Sequence, residues 1–188
     1  MKVAVFPAML ALALISTAAF AKSNTPPNRT QASTAHQDTK FLEKANQGNV
    51  DEIDLAQLAL KKSNNDDVKN FAQRMIHDHT MLMDNMKPFA NEAGLQPPSH
   101  PSAGTEAEKL KLDVLSGESF DKAYIKAMVQ DHSKDLAEFR QEAKSTGYPA
   151  FKNAVEQGAQ VVREHLDMVN QIAKKMGVAP APVPGAGK

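Results

Sequence analysis

Two segments of the chain, 53 positions apart, carry the same short pattern inside longer helical patterns. Residues 75–80 read MIHDHT and residues 128–133 read MVQDHS, so a methionine, an Asp-His pair and a hydroxyl residue recur in one order. The likeness continues on both sides, with aromatic residues at 71 and 124 and glycines at 94 and 147. This repetition indicates a duplicated helical unit, which restricts the fold to helices that pack against one another.

Four stretches have apolar residues at intervals of three and four, the period of a helix with one buried face. They predict helices over residues 39–62, 65–93, 117–146 and 149–176, and no stretch has the period of a strand, so the predicted class is all-α. Short turns join the first helix to the second and the third to the fourth, whereas residues 95–116 separate the second from the third. One long crossover among four helices predicts a four-helix bundle with ferritin-like, up-down-down-up topology.

The ends of the chain are predicted to lie outside this bundle. Residues 1–21 have a basic start, an apolar run and the cleavage pattern Ala19-Phe20-Ala21, which is typical of a secretory signal peptide cut after Ala21. Residues 22–38 are polar and predict a flexible leader, residues 39–176 form the bundle domain, and residues 177–188 predict a disordered tail rich in Pro, Gly and Ala. We therefore expect an exported, periplasmic protein with no transmembrane segment.

The composition excludes several classes of function. The 22 Lys and Arg residues balance 22 Asp and Glu residues, so no basic excess points to nucleic acid or to an anionic membrane. Cysteine is absent, which excludes a disulfide framework, a thiol nucleophile and a cysteine-type zinc site. No glycine-rich turn or activated nucleophile is evident, so the sequence predicts no organic cofactor and leans against an enzyme. Protein partners and oligomeric state stay open.

Three of the four predicted helices place one histidine near the middle of the apolar stripe: His79, His132 and His165. The first helix places Glu52 at a similar height, although Ile53 and Leu55 could instead define its buried face. If all four stripes face inward, three imidazoles and one carboxylate meet in one layer. Such a set suits one divalent transition metal ion, namely Zn, Fe, Mn or Cu. The alternative is a buried hydrogen-bond network that only fixes the register of the helices.

Asp78 and Asp131 directly precede two of these histidines, about 100° away around the helix. A histidine that binds a metal commonly donates its other N–H to a carboxylate. We therefore predict that both aspartates support the metal site, each serving a histidine on a neighbouring helix.

The chain resembles the bacterial exported family called domain of unknown function 4142 (DUF4142), over about residues 40–176. The segments that carry the resemblance are Gly48–Ile53, Val68–Ala72, Asp78–Thr80, Leu115–Gly117, Phe120–Tyr124, Met128–His132 and His165–Leu166. The resemblance implies a ferritin-like four-helix fold and export, and it implies little about activity. The chain departs from ferritins, whose di-iron sites use Glu-x-x-His pairs, because Ile76, Val129 and Val162 stand three residues before the histidines.

Three functions therefore follow from the sequence, in this order. The first is a metal-binding protein for storage, buffering or stress protection. The second is a structural or interaction protein of the cell envelope, in which the histidines only specify the core. The third is a small oxidoreductase or hydrolase built on the metal, for which only Asp78 and Asp131 offer an acid or base.

Overall fold

A computed structural model describes residues 29–185, and this range forms five α-helices and no strand. The helices are α1 (Arg29–Lys62), α2 (Asp66–Glu92), α3 (Ala103–Asp113), α4 (Gly117–Ser145) and α5 (Pro149–Lys175). The predicted all-α class is confirmed for this range. The predicted signal peptide, the first residues of the predicted leader and residues 186–188 lie outside the described part of the chain.

Local sequence signals set the ends of the helices. The Asn65 side chain accepts a hydrogen bond from the Val68 N–H at 3.3 Å and thereby caps the first turn of α2. Gly94 follows α2 with a φ of 72°, a left-handed conformation that glycine adopts without steric cost. Pro149 opens α5, where its missing N–H leaves no helical hydrogen bond unmade.

Each long helix lies beside two others: α1 beside α2 and α4, and α5 beside α4 and α2. The ion pair of Lys175 with Asp67, 2.8 Å long, joins the end of α5 to the start of α2. The hydrogen bond from Gln37 to Glu142, 3.1 Å long, joins the start of α1 to the end of α4. These contacts make neighbouring helices antiparallel, so α2 and α4 run in the same direction and their repeated motifs lie at similar heights.

The core between the helices is apolar at both ends. Phe71 of α2 and Tyr124 of α4 are both fully buried, with ring centroids 6.4 Å apart. Toward the other end, Phe139 packs edge-on against Phe41, with ring centroids 4.9 Å apart. Burial of each such side chain stabilises the fold by roughly 1.5–3 kcal/mol. The histidine layer therefore lies between two aromatic clusters that hold the helices together.

Helix α1 begins at Arg29 and not at the predicted residue 39, so residues 29–38 of the predicted leader are helical. This segment is polar, and two of its side chains, those of Gln37 and Asp38, meet polar partners at the end of α4. Besides Gln37, Asp38 accepts a hydrogen bond from the Thr146 hydroxyl at 2.9 Å. The predicted start of the first helix at residue 39 is therefore ten residues too late, because apolar periodicity does not register polar contacts such as these.

The predicted disordered tail also contacts the helices over its described residues. The Asn170 side chain donates to the Ala181 carbonyl and accepts from the Ala181 N–H, both at 2.9 Å. Val178, Ala181 and Val183 pack against the core. One amide side chain on α5 thus fixes a segment whose own composition favours disorder.

The crossover between α2 and α4 runs along α1 and includes the short helix α3. Its Ser102 N–H donates to Asp51 at 2.6 Å, and the His100 carbonyl accepts from Gln47 at 3.1 Å. Lys62 at the end of α1 forms an ion pair with Asp113, 3.0 Å long.

None of the helices within residues 29–185 has the length and the apolar character that crossing a membrane requires.

Candidate metal centre

The structure brings the three predicted histidines together from three helices. His79 of α2, His132 of α4 and His165 of α5 are 1%, 0% and 0% exposed. Their ring centroids lie 5.1–5.8 Å apart. One ring nitrogen from each lies within 4.8 Å of those from the other two, close enough for the three to share one ion.

Burial of the rings away from water keeps the imidazoles neutral. Phe71 packs against two of them, with ring centroids 6.1 Å from His132 and 6.2 Å from His165. Burial lowers the pKa of all three histidines, because a charged imidazolium loses its hydration in the core. The pKa of His132 falls to about 3. Neutral imidazole is the form that binds a metal ion.

Each ring is oriented by a hydrogen bond through one nitrogen. His79 Nδ1 donates to the Asn49 side-chain oxygen at 2.8 Å, and His132 Nδ1 donates to the Met128 carbonyl at 2.9 Å. His165 Nε2 donates to Asp78 Oδ2, also at 2.9 Å. The lone pair of each neutral ring is therefore on the other nitrogen. Among the described residues, these other atoms, His79 Nε2, His132 Nε2 and His165 Nδ1, have no hydrogen-bond partner.

Asp78 is the predicted supporting aspartate that the structure places against a histidine. It belongs to α2 and contacts His165 on α5, so it serves a neighbouring helix. Arg74, one turn earlier, also donates to Asp78 Oδ2 and lies 3.5 Å from Glu164. Burial opposes ionisation of Asp78, but the hydrogen bonds from Arg74 and His165 outweigh it and leave the pKa below its ordinary value. Asp78 thus carries a negative charge beside the ring.

The structure places Glu52 beside His79 and His132, on the side of their hydrogen-bonded nitrogens. Its carboxylate is buried, 6% exposed, with Oε2 3.2 Å from His79 Nδ1 and Oε1 3.4 Å from His132 Nδ1. Those two nitrogens carry the hydrogens, so the carboxylate lies on the edges of the rings away from their lone pairs. In the range that the structure describes, the group whose ligand atoms converge consists of the three histidines. Burial and the charges of Asp135, Asp131 and Asp51 raise the pKa of Glu52 well above its ordinary value.

Asp131 is not brought to the histidines either. It is half-buried and lines a groove between α1 and α4, together with Asp51 and Asp135. Because it lies about 100° around the helix from His132, its side chain leaves the core on the α1 side. Burial raises its pKa. The two repeats therefore differ: the first aspartate meets a histidine of another helix and the second faces the groove.

Two residues that contact the site were not predicted from the sequence. Asn49 orients His79, and Arg74 holds Asp78 in its charged form. Both had a local signal. Asn49 lies on the apolar stripe of α1 three residues before Glu52, and Arg74 lies four residues before Asp78, a spacing that brings side chains together on a helix.

The geometry allows metal binding with a small adjustment of the rings. Two nitrogens bound to one tetrahedral zinc ion, at bonds of about 2.0–2.1 Å, lie roughly 3.3 Å apart. The three histidine nitrogens, all within 4.8 Å of one another, need to approach by about 1.5 Å at most to reach that distance. Three nitrogen ligands leave a fourth position for water or another ligand.

Taken together, the fold and the site define an all-α protein with a buried three-histidine cluster. The sequence profile of the family "Domain of unknown function (DUF4142)" matches residues 23–172, and the chain belongs to this family. A search of curated proteins gives no match.

A solved structure shares the fold. It is a crystal structure from Streptomyces coelicolor described as "putative secreted protein DUF305". The alignment covers 81% of this chain and 96% of that chain, with a TM-score of 0.60 and 12% sequence identity. At that identity the likeness concerns the fold only.

Proposed function

We propose that this protein is an exported, ferritin-like four-helix bundle that binds one divalent transition metal ion through His79, His132 and His165. Its role would be storage, buffering or stress protection, and no catalytic activity is proposed. The observation that carries the proposal is the convergence of three buried histidines, with one ring nitrogen of each within 4.8 Å of those of the other two. Each ring also has one nitrogen without a hydrogen-bond partner among the described residues. A buried polar atom left unpaired costs about 1–3 kcal/mol, and one ion would satisfy all three.

The ferritin-like topology is supported by the contacts between helices. Two antiparallel pairs, α1 with α2 and α4 with α5, are joined by a crossover that returns along α1. Export is supported by the predicted signal peptide, with cleavage after Ala21 and a periplasmic location. The Streptomyces protein of similar fold is described as secreted, which agrees with this proposal.

The proposed ligands are three imidazole nitrogens. Glu52 contacts the rings of His79 and His132, and Asp78 accepts a hydrogen bond from His165, so both carboxylates lie outside the ligand set. Such outer partners fix the tautomer and the orientation of a binding imidazole. Zinc, iron, manganese and copper all accept imidazole ligands, and the ligand set does not choose among them.

The alternative is a structural or interaction protein of the cell envelope, with the histidines specifying only the core. The hydrogen bonds that already satisfy one nitrogen of each ring favour it. This alternative gives the second nitrogen of each ring no hydrogen-bond partner among the described residues. For this reason we rank metal binding first.

Elemental analysis of the purified protein tests the proposal. The protein is stripped with a chelator, incubated separately with Zn²⁺, Fe²⁺, Mn²⁺ and Cu²⁺, and freed of unbound ion by gel filtration. We expect about one ion per chain for at least one metal, and loss of uptake in His79→Ala and His132→Ala.

His77→Ala is the matched control, because His77 lies two residues from His79 on the same helix with its side chain 69% exposed. It should bind as the wild type does. Absence of uptake for all four metals would eliminate the proposal, as would unchanged uptake in both core variants. Circular dichroism confirms that each variant is helical.

A further inference from the structure

A small cavity reaches the histidine cluster from the side of α1 and α4. It has a volume of about 30 Å³, room for about two water molecules. Gly48, Asn49, Glu52, His79, Asp135 and Glu138 are among the residues that line it. His79 is therefore buried from bulk solvent and yet borders a space that a small solute can occupy.

A larger groove of about 560 Å³ adjoins this cavity on the outside. It lies between α1, the crossover and α4. The two spaces share four lining residues, Lys44, Gly48, Glu52 and Asp135. A path from solvent to His79 therefore passes between these side chains.

Gly48 has no packing reason to be a glycine. It lies in the interior of α1, where glycine costs about 0.5–1 kcal/mol of helix stability relative to alanine. A Cβ at this position would meet no atom within 4 Å in the described part of the chain. The missing side chain leaves open space at the point where the groove meets the cavity.

The charges along the path change from the outside inward. Lys44 and Lys134 are exposed at the rim, and Lys44 pairs with Glu138 across the gap between α1 and α4. Asp131 and Asp135 are half-buried deeper in the groove. Beyond them Glu52 is 6% exposed, and its Oε1 has no hydrogen-bond partner among the described residues.

These carboxylates repel one another in the absence of a cation. Burial and the charges of Asp131 and Glu138 raise the pKa of Asp135 to about 7. Asp51, also in the groove, is already engaged by Ser102 and Gln47 and holds the crossover in place. Asp135 and Glu52 line both the groove and the inner cavity, so they are the carboxylates that an ion would meet between the two spaces.

We propose that a divalent cation reaches the three histidines through the opening between α1 and α4 at Gly48, with Asp135 and Glu52 as successive contacts. The inference rests on the proposed metal binding and concerns the rate of loading. The ion exchanges water for carboxylate oxygen at Asp135, passes Glu52, and is then bound by imidazole nitrogen.

Stopped-flow loading with Co²⁺ alone, followed by its visible absorption, tests this path. Measurement at pH 8 keeps Asp135 ionised, since its pKa is about 7. Gly48→Leu fills the opening and excludes the ion from the carboxylate-lined route. The ion then loses the increase in association rate that such a cleft provides, so we expect loading to be slower by at least about tenfold. Gly48→Ala is the matched control, because its single methyl group leaves the opening wide, and it should load within about twofold of the wild type.

A second pair of variants tests the charge. Asp135→Asn should slow loading by about threefold to tenfold, since it removes one of the inner carboxylates. Asp84→Asn makes the same change of charge on the exposed side of α2, away from the groove, and should leave the rate unchanged. All variants should reach the wild-type end point of one ion per chain.

The end point separates the two proposals. If the wild type binds one ion and Gly48→Leu loads as fast as Gly48→Ala, the path is wrong and the metal site stands. If the wild type binds none of the metals, both are wrong. Thermal unfolding shows whether Gly48→Leu is folded, and Asp135→Asn gives a second reading that does not depend on filling the opening.

Discussion

Replacement of Asp78 by alanine tests how much a carboxylate behind the histidine cluster contributes to the metal-free fold. Asp78 is buried, and its Oδ2 accepts hydrogen bonds from both His165 and Arg74. Alanine removes the acceptor and leaves the two donors without it. Their environments differ: His165 is 0% exposed, whereas the side chain of Arg74 is 46% exposed.

The magnitude follows from this difference in exposure. The His165 N–H is buried and cannot form a hydrogen bond with water instead. A buried donor left unpaired costs about 1–3 kcal/mol. Arg74 regains water, so its share is that of a largely exposed ion pair, about 0–1 kcal/mol. We expect Asp78→Ala to lower the free energy of unfolding by roughly 2–4 kcal/mol, including the lost packing of the side chain.

Urea unfolding followed by circular dichroism, with a chelator present, measures this change. With a slope of about 2 kcal/mol per molar urea, the midpoint should fall by about 1–2 M. Asp78→Asn keeps an acceptor oxygen for both donors but loses the charge, and should show about half the effect. Asp84→Ala, an exposed aspartate on the same helix, is the control and should stay within about 0.5 kcal/mol of the wild type.

A destabilisation below about 0.5 kcal/mol in Asp78→Ala would refute the reasoning, since it would mean that the His165 N–H finds another partner. If Asp78→Asn were as unstable as Asp78→Ala, the charge and not the acceptor would be what matters.

Three further changes test other parts of the structure. Gly158→Ala places a methyl group against the ring of Phe139, and we expect a loss of about 1–3 kcal/mol in urea unfolding. Burial and the adjacent Asp38 raise the pKa of Glu142 to about 7, above its ordinary 4.5. Its contribution to stability is therefore full below about pH 4.5 and is lost as the pH rises through about 7, so the melting temperature of the wild type should fall between pH 5 and 8 more than that of Glu142→Gln. Asn170→Ala removes both hydrogen bonds to Ala181, and limited proteolysis should then cut the segment after α5 sooner than in the wild type, with the helices intact.

The helices and the three histidines were predictable because one physical rule governs both. A side chain on the buried stripe of a helix must meet the stripes of its neighbours, so three histidines at mid-helix meet each other. The rule determines the height of a side chain along the helix and the face of the helix on which it lies. It does not determine which nitrogen of an imidazole ring faces a given neighbour. Glu52 was predicted on the right face, and yet it lies at the N–H edges of His79 and His132.

Two further features that the sequence pattern did not indicate also depend on contacts between distant polar residues. Gln37 and Asp38, in the first turns of α1, have partners at the end of α4 and at the residue after it, more than a hundred positions away. Asn170 similarly fixes a Pro- and Gly-rich segment. Apolar periodicity carries no information on such pairs, because each partner alone has the composition of an exposed residue.

The distribution of the histidines over the helices couples metal supply to assembly of the fold. His79 belongs to the hairpin of α1 and α2, whereas His132 and His165 belong to the hairpin of α4 and α5. An ion bound by all three would fasten two halves that the chain itself joins only through the crossover. A free ion concentration one hundred times the dissociation constant adds about 2.7 kcal/mol to stability. The lifetime of the protein against proteases would then rise and fall with the metal content of its compartment.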